Sequence, residues 1–378
     1  MSTLLRRYLT AAILSDLGEK MVFLGGPRQV GKTSLAQALI PKYRDGHPAY
    51  LNWDDDEHKL RIRKKDWPRD ERLIVLDEIH KFKNWRNLVK GFYDTLKNTH
   101  QFLITGSAQL DHFRRGGDSL LGRYHAYRLH PLSIAELNYS RNSLQDLLKF
   151  GGFPEPYFKK SESSLRRWHQ QRLTRIVRED LRDLSSVREI DQIQLLAETL
   201  PDRVGSPLSV KALAGDLGVD FKTVKNWLSW LDALYYSYQI SPYGSPRIRA
   251  VKKEQKLYLW DWSAVEERGA RFENLVASHL LKYCHFKQDT EGYRMELQFI
   301  RDTDKREVDF VVLQNKKPLF AVECKSGEKS LSPHIPYFRD RTSIPKFYQV
   351  HLGTTSRQLD DRVALLPFEE FSREVGLV

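Results

Sequence analysis

The sequence predicts an α/β protein with three parts: a parallel-sheet domain, a helical middle and a second α/β domain at the carboxyl-terminal end. Three observations lead to this prediction. A glycine-rich loop joins a strand-like run to a helix-like run in the first part, a helix-turn-helix pattern marks the middle, and two neighbouring strand-like runs with charged residues mark the last part. The 378 residues suffice for two or three domains, and 40% hydrophobic residues suffice for packed cores.

The glycine-rich loop reads Gly-Pro-Arg-Gln-Val-Gly-Lys-Thr at residues 26–33, which is the pattern of a phosphate-binding loop. The apolar run 21–24 before it predicts a strand, and residues 34–40 after it predict a helix whose amino terminus attracts phosphate. We expect Lys32 to reach the β- and γ-phosphates and Thr33 to ligate Mg²⁺. The residues predicted to contact the nucleotide are Gly26, Pro27, Arg28, Gln29, Val30, Gly31, Lys32, Thr33 and Ser34.

A second strand-like run, residues 72–76, ends in Asp77 and Glu78. An acidic pair after a buried strand is common, but its position downstream of a phosphate-binding loop indicates a Walker B strand. Asp77 would hold Mg²⁺ through water, and Glu78 would orient and deprotonate the attacking water. Between loop and acids, residues 49–53 predict another strand and residues 59–65 a solvated helix.

Residues 102–107 form a further buried strand that ends in hydroxyl residues. A polar side chain at this place would sense the γ-phosphate or the attacking water, and either Thr105 or Ser107 would serve. The alternative, a hydroxyl that caps the next turn, has equal support.

Arg123 follows this strand and is the favoured arginine finger, acting within the chain or across the interface of a homo-oligomer. Arg114 and Arg115 compete for that role. A structural salt bridge is the alternative for Arg123.

The net charge of +12 is concentrated in the first two thirds of the chain, with +8 in residues 1–150, +5 in residues 151–260 and −1 in residues 261–378. Such an excess suits a polyanion such as DNA or RNA, although an ordinary basic protein is an equal alternative.

Cys284 and Cys324 are the two cysteines, so no disulfide framework is expected and a reducing cytoplasm fits. No apolar run is long enough to predict a membrane span, and the amino terminus predicts an amphipathic helix rather than a signal peptide.

Residues 161–204 are helical in pattern, and residues 175–181 are a predicted lid that moves with the nucleotide state. Residues 209–231 predict a helix-turn-helix, and residues 235–240 a wing strand. Apolar residues at helical spacing leave a polar face on the second helix, made of Lys222, Thr223, Lys225 and Asn226. That face suits a DNA groove, whereas the alternative is a winged helix used for packing or protein contact.

Two neighbouring strands are predicted near the carboxyl terminus, at residues 307–313 and 319–326. The first carries Asp309, and the second carries Glu323 and Lys325. Because side chains alternate along a strand, Glu323 and Lys325 point to the same face. Two carboxylates and a lysine on one face would hold Mg²⁺ or Mn²⁺ and position a hydroxide for attack on a phosphodiester.

A predicted helix over residues 269–281 precedes these strands and carries Glu273, which would complete the metal shell. The metal ligands predicted here are thus Glu273, Asp309 and Glu323, and the predicted catalytic residues are Asp309, Glu323 and Lys325. The pattern is weak by itself. A nuclease fold kept as a binding module is therefore the alternative.

The order of several motifs resembles one family, the prokaryotic AAA-type ATPases whose carboxyl-terminal domain of unknown function is similar to PD-(D/E)xK nucleases. The motifs are residues 26–33, Leu-Asp-Glu-Ile-His at 76–80, Thr-Gly-Ser at 105–107, Leu-Gly-Arg at 121–123, Pro-Leu-Ser-Ile-Ala-Glu at 131–136 and Gly-Gly-Phe-Pro-Glu at 151–155. The resemblance implies a P-loop ATPase domain at 1–150, a helical lid with a winged helix at 151–245 and a nuclease-like domain at 246–378.

The function predicted from motifs and resemblance is ATP hydrolysis that moves the lid and acts on DNA, with the nuclease-like domain cutting or gripping that DNA. Two alternatives stay open. One is a nucleotide-switched signalling scaffold, and the other is an ATP-dependent protein remodeller. DNA affinity and DNA-dependent ATP turnover discriminate the prediction from both.

Overall fold

The structure, a computed structural model, describes residues 5–106, 120–181, 189–244 and 254–378. The chain separates into two compact units, Met1–His130 and Pro131–Val378. The first contains a parallel sheet and the second an extended mixed sheet, which confirms the predicted α/β class. The finer division at residues 150 and 245 stays a prediction.

The first unit is built on a sheet whose described strands are all parallel, in the order β2-β3-β4-β1-β5. These strands are β1 Met21–Gly25, β2 Tyr50–Asn52, β3 Leu73–Asp77, β4 Gln101–Thr105 and β5 Tyr124–Arg128. The helices are α1 Thr10–Asp16, α2 Lys32–Leu39, α3 Asp56–Lys64 and α4 Trp85–Leu96. Strands β1 and β3 are buried along their whole length, as their continuous apolar runs predict.

A parallel sheet brings the carboxyl ends of its strands to one edge, where ligands of α/β proteins bind. The phosphate-binding loop after β1, Asp77 at the end of β3 and Thr105 at the end of β4 therefore share that edge. The strand register places Gly25 beside Arg128, whereas Met21 and Tyr124 mark the opposite edge. This division decides which predicted residues can meet a nucleotide.

The second unit begins with helices, as the charged helical pattern predicts. They are α5 Arg141–Phe150, α6 Pro154–Lys159, α7 Glu162–Arg175, α8 Ile190–Thr199, α9 Val210–Leu217 and α10 Phe221–Ala233. Helix α7 continues into a π-helical turn, Ile176–Asp180, within the segment predicted as a lid. Such turns are rare and occur frequently at functional sites.

Helices α9 and α10 have sharp local boundaries. The Ser209 side chain caps α9, Gly218 ends it with a φ of 66°, and the Asp220 side chain caps α10. Val224, Trp227, Leu228 and Leu231 are buried, as their spacing predicts. The strand predicted as a wing is present as β6, Ser237–Pro242, and belongs to the large sheet of this unit, while its role as a wing stays a prediction.

The large sheet has the strand order β12-β13-β11-β10-β9-β8-β6-β7 among the described residues. Its other strands are β7 Lys256–Leu259, β8 Met295–Arg301, β9 Glu307–Gln314, β10 Lys317–Lys325, β11 Phe347–His351, β12 Arg357–Asp360 and β13 Val363–Pro367. Three helices accompany it, α11 Arg268–Glu291, α12 His334–Arg339 and α13 Phe368–Glu374. Both strands predicted at 307–313 and 319–326 are present, and α11 extends ten residues beyond the predicted end at 281.

The Pro-Leu-Ser-Ile-Ala-Glu segment holds α11 in place. Glu136 and Lys282 form a buried ion pair, and the Lys282 Nζ also donates to Ser133 Oγ at 2.8 Å. One turn away, the Ile134 N–H donates to His279 Nε2 at 3.0 Å. This motif thus has a structural role in the second unit.

None of the described helices combines the length and the apolar character that a membrane span requires.

Candidate functional site

The phosphate-binding loop has a backbone that only its glycines allow. Gly26 has a φ of 140°, and a Cβ there would lie 2.4 Å from the Leu129 carbonyl oxygen. Gly31 has a φ of 97° and precedes the first residue of α2. The loop is therefore pressed against the segment after β5, and the amino terminus of α2 opens directly from it.

Two buried cations stabilise the loop. The Lys32 Nζ donates to the carbonyl oxygens of Gly26 at 2.9 Å and Pro27 at 2.7 Å, and Lys32 is only 6% exposed. Arg7 donates to the carbonyl oxygens of Val30 at 2.8 Å and His130 at 2.6 Å. Sequence reasoning missed the role of Arg7, because an arginine before a short helix is normally solvated.

Asp77 is the hub of the site. Its Oδ2 accepts hydrogen bonds from Thr33 Oγ1 at 2.8 Å and Tyr50 Oη at 2.6 Å, and its Oδ1 accepts one from Thr105 Oγ1. Burial and the neighbouring Asp77 carboxylate raise the pKa of Tyr50, so its hydroxyl stays a donor. Three hydroxyls from α2, β2 and β4 therefore fix the carboxylate, which is 2% exposed.

The oxygen atoms of Thr33 and Asp77 fit a magnesium site. In P-loop enzymes, phosphate oxygens of the nucleotide complete a site of this kind. A threonine hydroxyl and a buried carboxylate lie in contact beside the loop lysine, and Mg²⁺ prefers oxygen ligands of this type. Thr33 would bind the ion directly and Asp77 through water, as predicted. Tyr50 was not predicted, because its contact with Asp77 depends on the pairing of β2 with β3.

Glu78 lies beside this hub in an unusual backbone conformation, with φ 55° and ψ 19°. Burial raises the pKa of its carboxyl above the usual value, and Lys32 and Lys81 oppose that shift. Its Oε2 is 3.6 Å from His80 Nε2 and 3.7 Å from Lys81 Nζ, and it accepts no hydrogen bond among the described residues. A carboxylate without a bound proton donor is what a predicted general base requires.

Arg123 lies at the edge of the sheet opposite the phosphate-binding loop, so it is badly placed to act as an arginine finger on the nucleotide of its own chain. Its carbonyl oxygen accepts from the Met21 N–H at 3.1 Å, four residues before the end of β1, and its guanidinium pairs with Asp94 at 2.8 Å. The structure therefore supports the salt-bridge alternative inside the chain. A finger across a subunit interface stays a prediction, and Ser107, Arg114 and Arg115 lie outside the described residues.

The predicted residues of the carboxyl-terminal centre come together, but a lysine lies among them. The Lys256 Nζ is 2.5 Å from Glu307 Oε1, 3.3 Å from Glu273 Oε1 and 3.6 Å from Asp309 Oδ1. Lys256 is 1% exposed. Burial alone would lower the pKa of its ammonium, but the carboxylates of Glu273, Asp309 and Glu307 raise it, so the lysine is a cation.

The other half of the centre is also paired. The Lys325 Nζ donates to Glu323 Oε1 at 2.6 Å, and the Cys324 N–H donates to Asp309 Oδ2 at 2.8 Å. Burial raises the pKa of Glu323 to about 7, with Asp309 adding to the shift and Lys325 opposing it. Burial likewise raises the pKa of Asp309.

This arrangement does not fit the metal predicted at Glu273, Asp309 and Glu323. The Lys256 ammonium already contacts two of those three carboxylates, and a second cation would be repelled there. No group of three or more His, Cys, Asp or Glu side chains in the described part of the chain is arranged to hold a metal ion. Sequence reasoning missed Lys256 and Glu307, although Glu307 shares a strand face with Asp309.

On α10 the predicted polar face is present. Lys222, Lys225 and Asn226 are exposed, whereas Thr223 donates from Oγ1 to Asp220 Oδ2 at 2.7 Å and so belongs to the helix cap. Two lysines and an amide thus project from the first turns of the second helix. They offer donors to a polyanion.

Comparison with known proteins identifies the first part of the chain. Residues 18–138 match the sequence model of the AAA domain family. Residues 141–266 and 268–371 match two domains of unknown function, DUF8612 and DUF4143. The chain therefore carries an AAA-type ATPase domain, which confirms that part of the resemblance, while the nuclease-like nature of the last domain stays a prediction.

Relatives share most of the chain without a described activity. The uncharacterized protein MJ1544 of Methanocaldococcus jannaschii is 23% identical over 401 residues, covering 93% of this chain and 88% of that protein. The uncharacterized protein Rv2008c of Mycobacterium tuberculosis is 24% identical over 294 residues, covering 72% and 66%. These relatives are therefore similar in sequence, but their names assign no activity.

Solved structures are similar only at a low level. The Holliday junction branch migration motor RuvB of Thermotoga maritima has 18% identity and a TM-score of 0.31, covering 61% of this chain and 87% of that chain. The signal transduction ATPase PH0952 of Pyrococcus horikoshii has 14% identity and a TM-score of 0.25, covering 75% and 46%. At these TM-scores neither likeness carries a functional argument.

Proposed function

We propose that this chain binds and hydrolyses ATP with Mg²⁺ at its phosphate-binding loop and uses the cycle to act on DNA. The observation that carries the proposal is the junction of Lys32, Thr33 and Asp77 at one edge of a parallel sheet, inside a region that matches the AAA domain. A loop that cradles phosphates, a cation and an oxygen site for Mg²⁺ are the parts that ATP hydrolysis requires.

Each residue then has a defined task. The loop amides and Lys32 would bind the β- and γ-phosphates, and Thr33 with Asp77 would hold Mg²⁺, which supplies neutralising charge to the phosphate oxygens. Thr105 would keep Asp77 oriented rather than contact the γ-phosphate, because its hydroxyl is already bonded to that carboxylate. Glu78 would accept a proton from the attacking water.

The DNA part of the proposal rests on charge and exposure. Lys222, Lys225 and Asn226 are exposed at the start of α10, and the first two thirds of the chain carry the basic excess. Basic donors on the second helix of a helix-turn-helix are placed to contact phosphates and base edges. Cleavage of that DNA by the carboxyl-terminal domain is not part of this proposal, because no group of three or more His, Cys, Asp or Glu side chains within the described residues is arranged to hold a metal ion.

The hydrolysis proposal is tested with Glu78→Gln, which keeps the size of the side chain and removes the base. We expect this variant to bind ATP like the wild type and to lose turnover by a factor of about 100 or more, in the range of general-base contributions. Binding is measured with a fluorescent ATP analogue and turnover by phosphate release.

Two further variants complete that experiment. Lys32→Ala should lose nucleotide affinity itself, since its charge meets the phosphates in every bound state. Glu57→Gln, an exposed acid on α3, is the matched control and should behave like the wild type. Normal turnover by Glu78→Gln would refute the role of Glu78 as the base.

A further inference from the structure

We propose that Lys256 is the resident cation of the carboxyl-terminal carboxylate centre, and that its ammonium takes the position a divalent metal would need. The centre comprises Glu273, Glu307, Asp309 and Glu323 with the cations Lys256, Arg301 and Lys325. This proposal concerns the second unit alone and is independent of ATP hydrolysis in the first.

The hydrogen-bond donors of the lysine match its surroundings. An ammonium has three N–H donors, and the Lys256 Nζ faces one carboxylate each from α11 and from two positions of β9. Because Glu307 and Asp309 are two residues apart on one strand, both point to the face where Lys256 lies. One buried cation thus joins β7, β9 and α11.

These acids have further partners besides Lys256. Tyr258 Oη donates at 2.7 Å to Glu273 Oε1, the oxygen that also contacts Lys256, and Arg301 Nη1 contacts Glu307 Oε2 at 2.7 Å. Asp309 Oδ2 accepts from a backbone N–H, as described above. A metal ion would therefore have to compete with donors that these carboxylates already bind.

The charges lead to the same inference. Lys256 and Arg301 lie against Glu273, Glu307 and Asp309, and Lys325 lies against Glu323, while burial raises the pKa of Glu273 to about 8. A divalent ion added next to Lys256 in a buried site would meet strong repulsion, since charges interact more strongly there than in water. Removing the lysine would leave three adjacent carboxylates, which is a ligand set that Mn²⁺ accepts.

Lys256 reaches the centre from the edge of the sheet. The lysine is the first residue of β7, an edge strand that pairs with β6, and its neighbour Tyr258 points to the same face. Both side chains reach Glu273. The centre therefore works as a buried polar anchor of the sheet on α11.

The test is the number of Mn²⁺ ions bound per chain without nucleotide, measured by electron paramagnetic resonance. The wild type and Asp309→Asn should bind the same number. Lys256→Met, which keeps the length and removes the charge, should bind one more ion per chain, and adding Asp309→Asn to it should abolish that ion. Lys282→Met removes another buried lysine, one paired with a single carboxylate, and should gain no ion.

Two results would overturn the proposal. One is a Mn²⁺ ion bound by the wild type and lost in Asp309→Asn, because the metal and Lys256 would then coexist. The other is a folded Lys256→Met that gains no ion. If Lys256→Met does not fold, the comparison of the wild type with Asp309→Asn still decides whether the lysine-filled centre takes a metal. ATP turnover is measured in parallel, so failure of this proposal is distinguished from failure of the ATPase proposal.

Discussion

At the scale of single residues, the nucleotide site is organised by Asp77 and the hydroxyls that bind it. Thr33 is the last residue of the phosphate-binding motif and Thr105 belongs to the strand predicted at 102–107, so sequence reasoning named both residues, although not the contact of Thr105 with Asp77. Tyr50 contacts the same carboxylate from a neighbouring strand. The contact of Tyr50 with Asp77 depends on the order of the strands in the sheet, which no local sequence pattern predicts.

Tyr50→Phe tests whether this hydroxyl positions Asp77 for Mg²⁺. Loss of one hydrogen bond to a charged group costs about 1.5 kcal/mol. The Mg²⁺ concentration for half-maximal ATP turnover should therefore rise about tenfold. Magnesium titrations of the initial rate measure this shift.

The control for this prediction is Tyr93→Phe, whose hydroxyl donates to the main-chain oxygen of Glu19 at 3.4 Å. It should leave the magnesium dependence unchanged. A Tyr50→Phe protein with lower thermal stability but an unchanged magnesium dependence would show a purely structural role for the tyrosine.

Lys256 shows where reasoning from sequence ends at this scale. A lysine at the first position of a strand is normally solvated, because long charged side chains are rarely fully buried unless paired. Here it is buried, and its three carboxylate neighbours come from residues 273 to 309 of the chain. Glu273 and Asp309 were predicted as site residues from the sequence, whereas Glu307 and the cation that lies among these acids required the fold.

At the scale of elements, the contact of α11 with the Pro-Leu-Ser-Ile-Ala-Glu segment illustrates how a sequence motif serves packing. Leu275 and His279 lie one turn apart: the His279 Nδ1–H donates to the Leu275 carbonyl oxygen at 2.8 Å, and its Nε2 accepts from the Ile134 N–H. Both nitrogens are thus used by a neutral ring. Burial lowers the pKa of His279 to about 3.

His279→Gln therefore tests how acid destabilises this element. The folded protein keeps His279 neutral down to about pH 3, while the unfolded chain protonates it below about pH 6.5. The stabilisation from this group is complete above about pH 6.5 and is lost as the pH falls, by up to about 1.4 kcal/mol per pH unit. Glutamine does not titrate, so the variant should lack this part of the slope.

Urea unfolding between about pH 7 and about pH 5 measures the difference between the two pH slopes. His285→Gln, half-buried on the same helix, is the control and should keep the steep dependence of the wild type. Equal pH slopes for His279→Gln and the wild type would contradict a neutral, buried imidazole.

Element boundaries were predicted well where residues act locally. Asp220 and Gly218 define the turn between α9 and α10 through a cap and a positive φ, and both effects depend on neighbours in sequence. Strand β6 was predicted, but its partners were not, because alternation indicates a strand and not the strand with which it pairs. Its pairing with β7 and β8 is a property of the whole sheet.

At the scale of the whole molecule, the chain combines an AAA domain with a second unit that carries the exposed basic helix face and the lysine-filled centre. We propose ATP hydrolysis in the first and DNA contact in the second. We also propose that the two activities are coupled, so that DNA changes ATP turnover.

The most direct measurement is ATP turnover with and without duplex DNA over a range of salt concentrations, for the wild type and for Lys222→Ala/Lys225→Ala. A control with the same charge change, Lys316→Ala/Lys317→Ala, removes two exposed lysines from the β9–β10 hairpin.

Duplex DNA should stimulate ATP turnover by the wild type and by the control. The Lys222→Ala/Lys225→Ala chain loses two phosphate contacts, so its DNA binding should be weaker, and the slope of log affinity against log salt concentration should fall by about 2. ATP turnover without DNA should be the same in all three proteins. If DNA does not change ATP turnover by the wild type, the proposed coupling is wrong. The same holds if the double variant at residues 222 and 225 responds to DNA like the wild type.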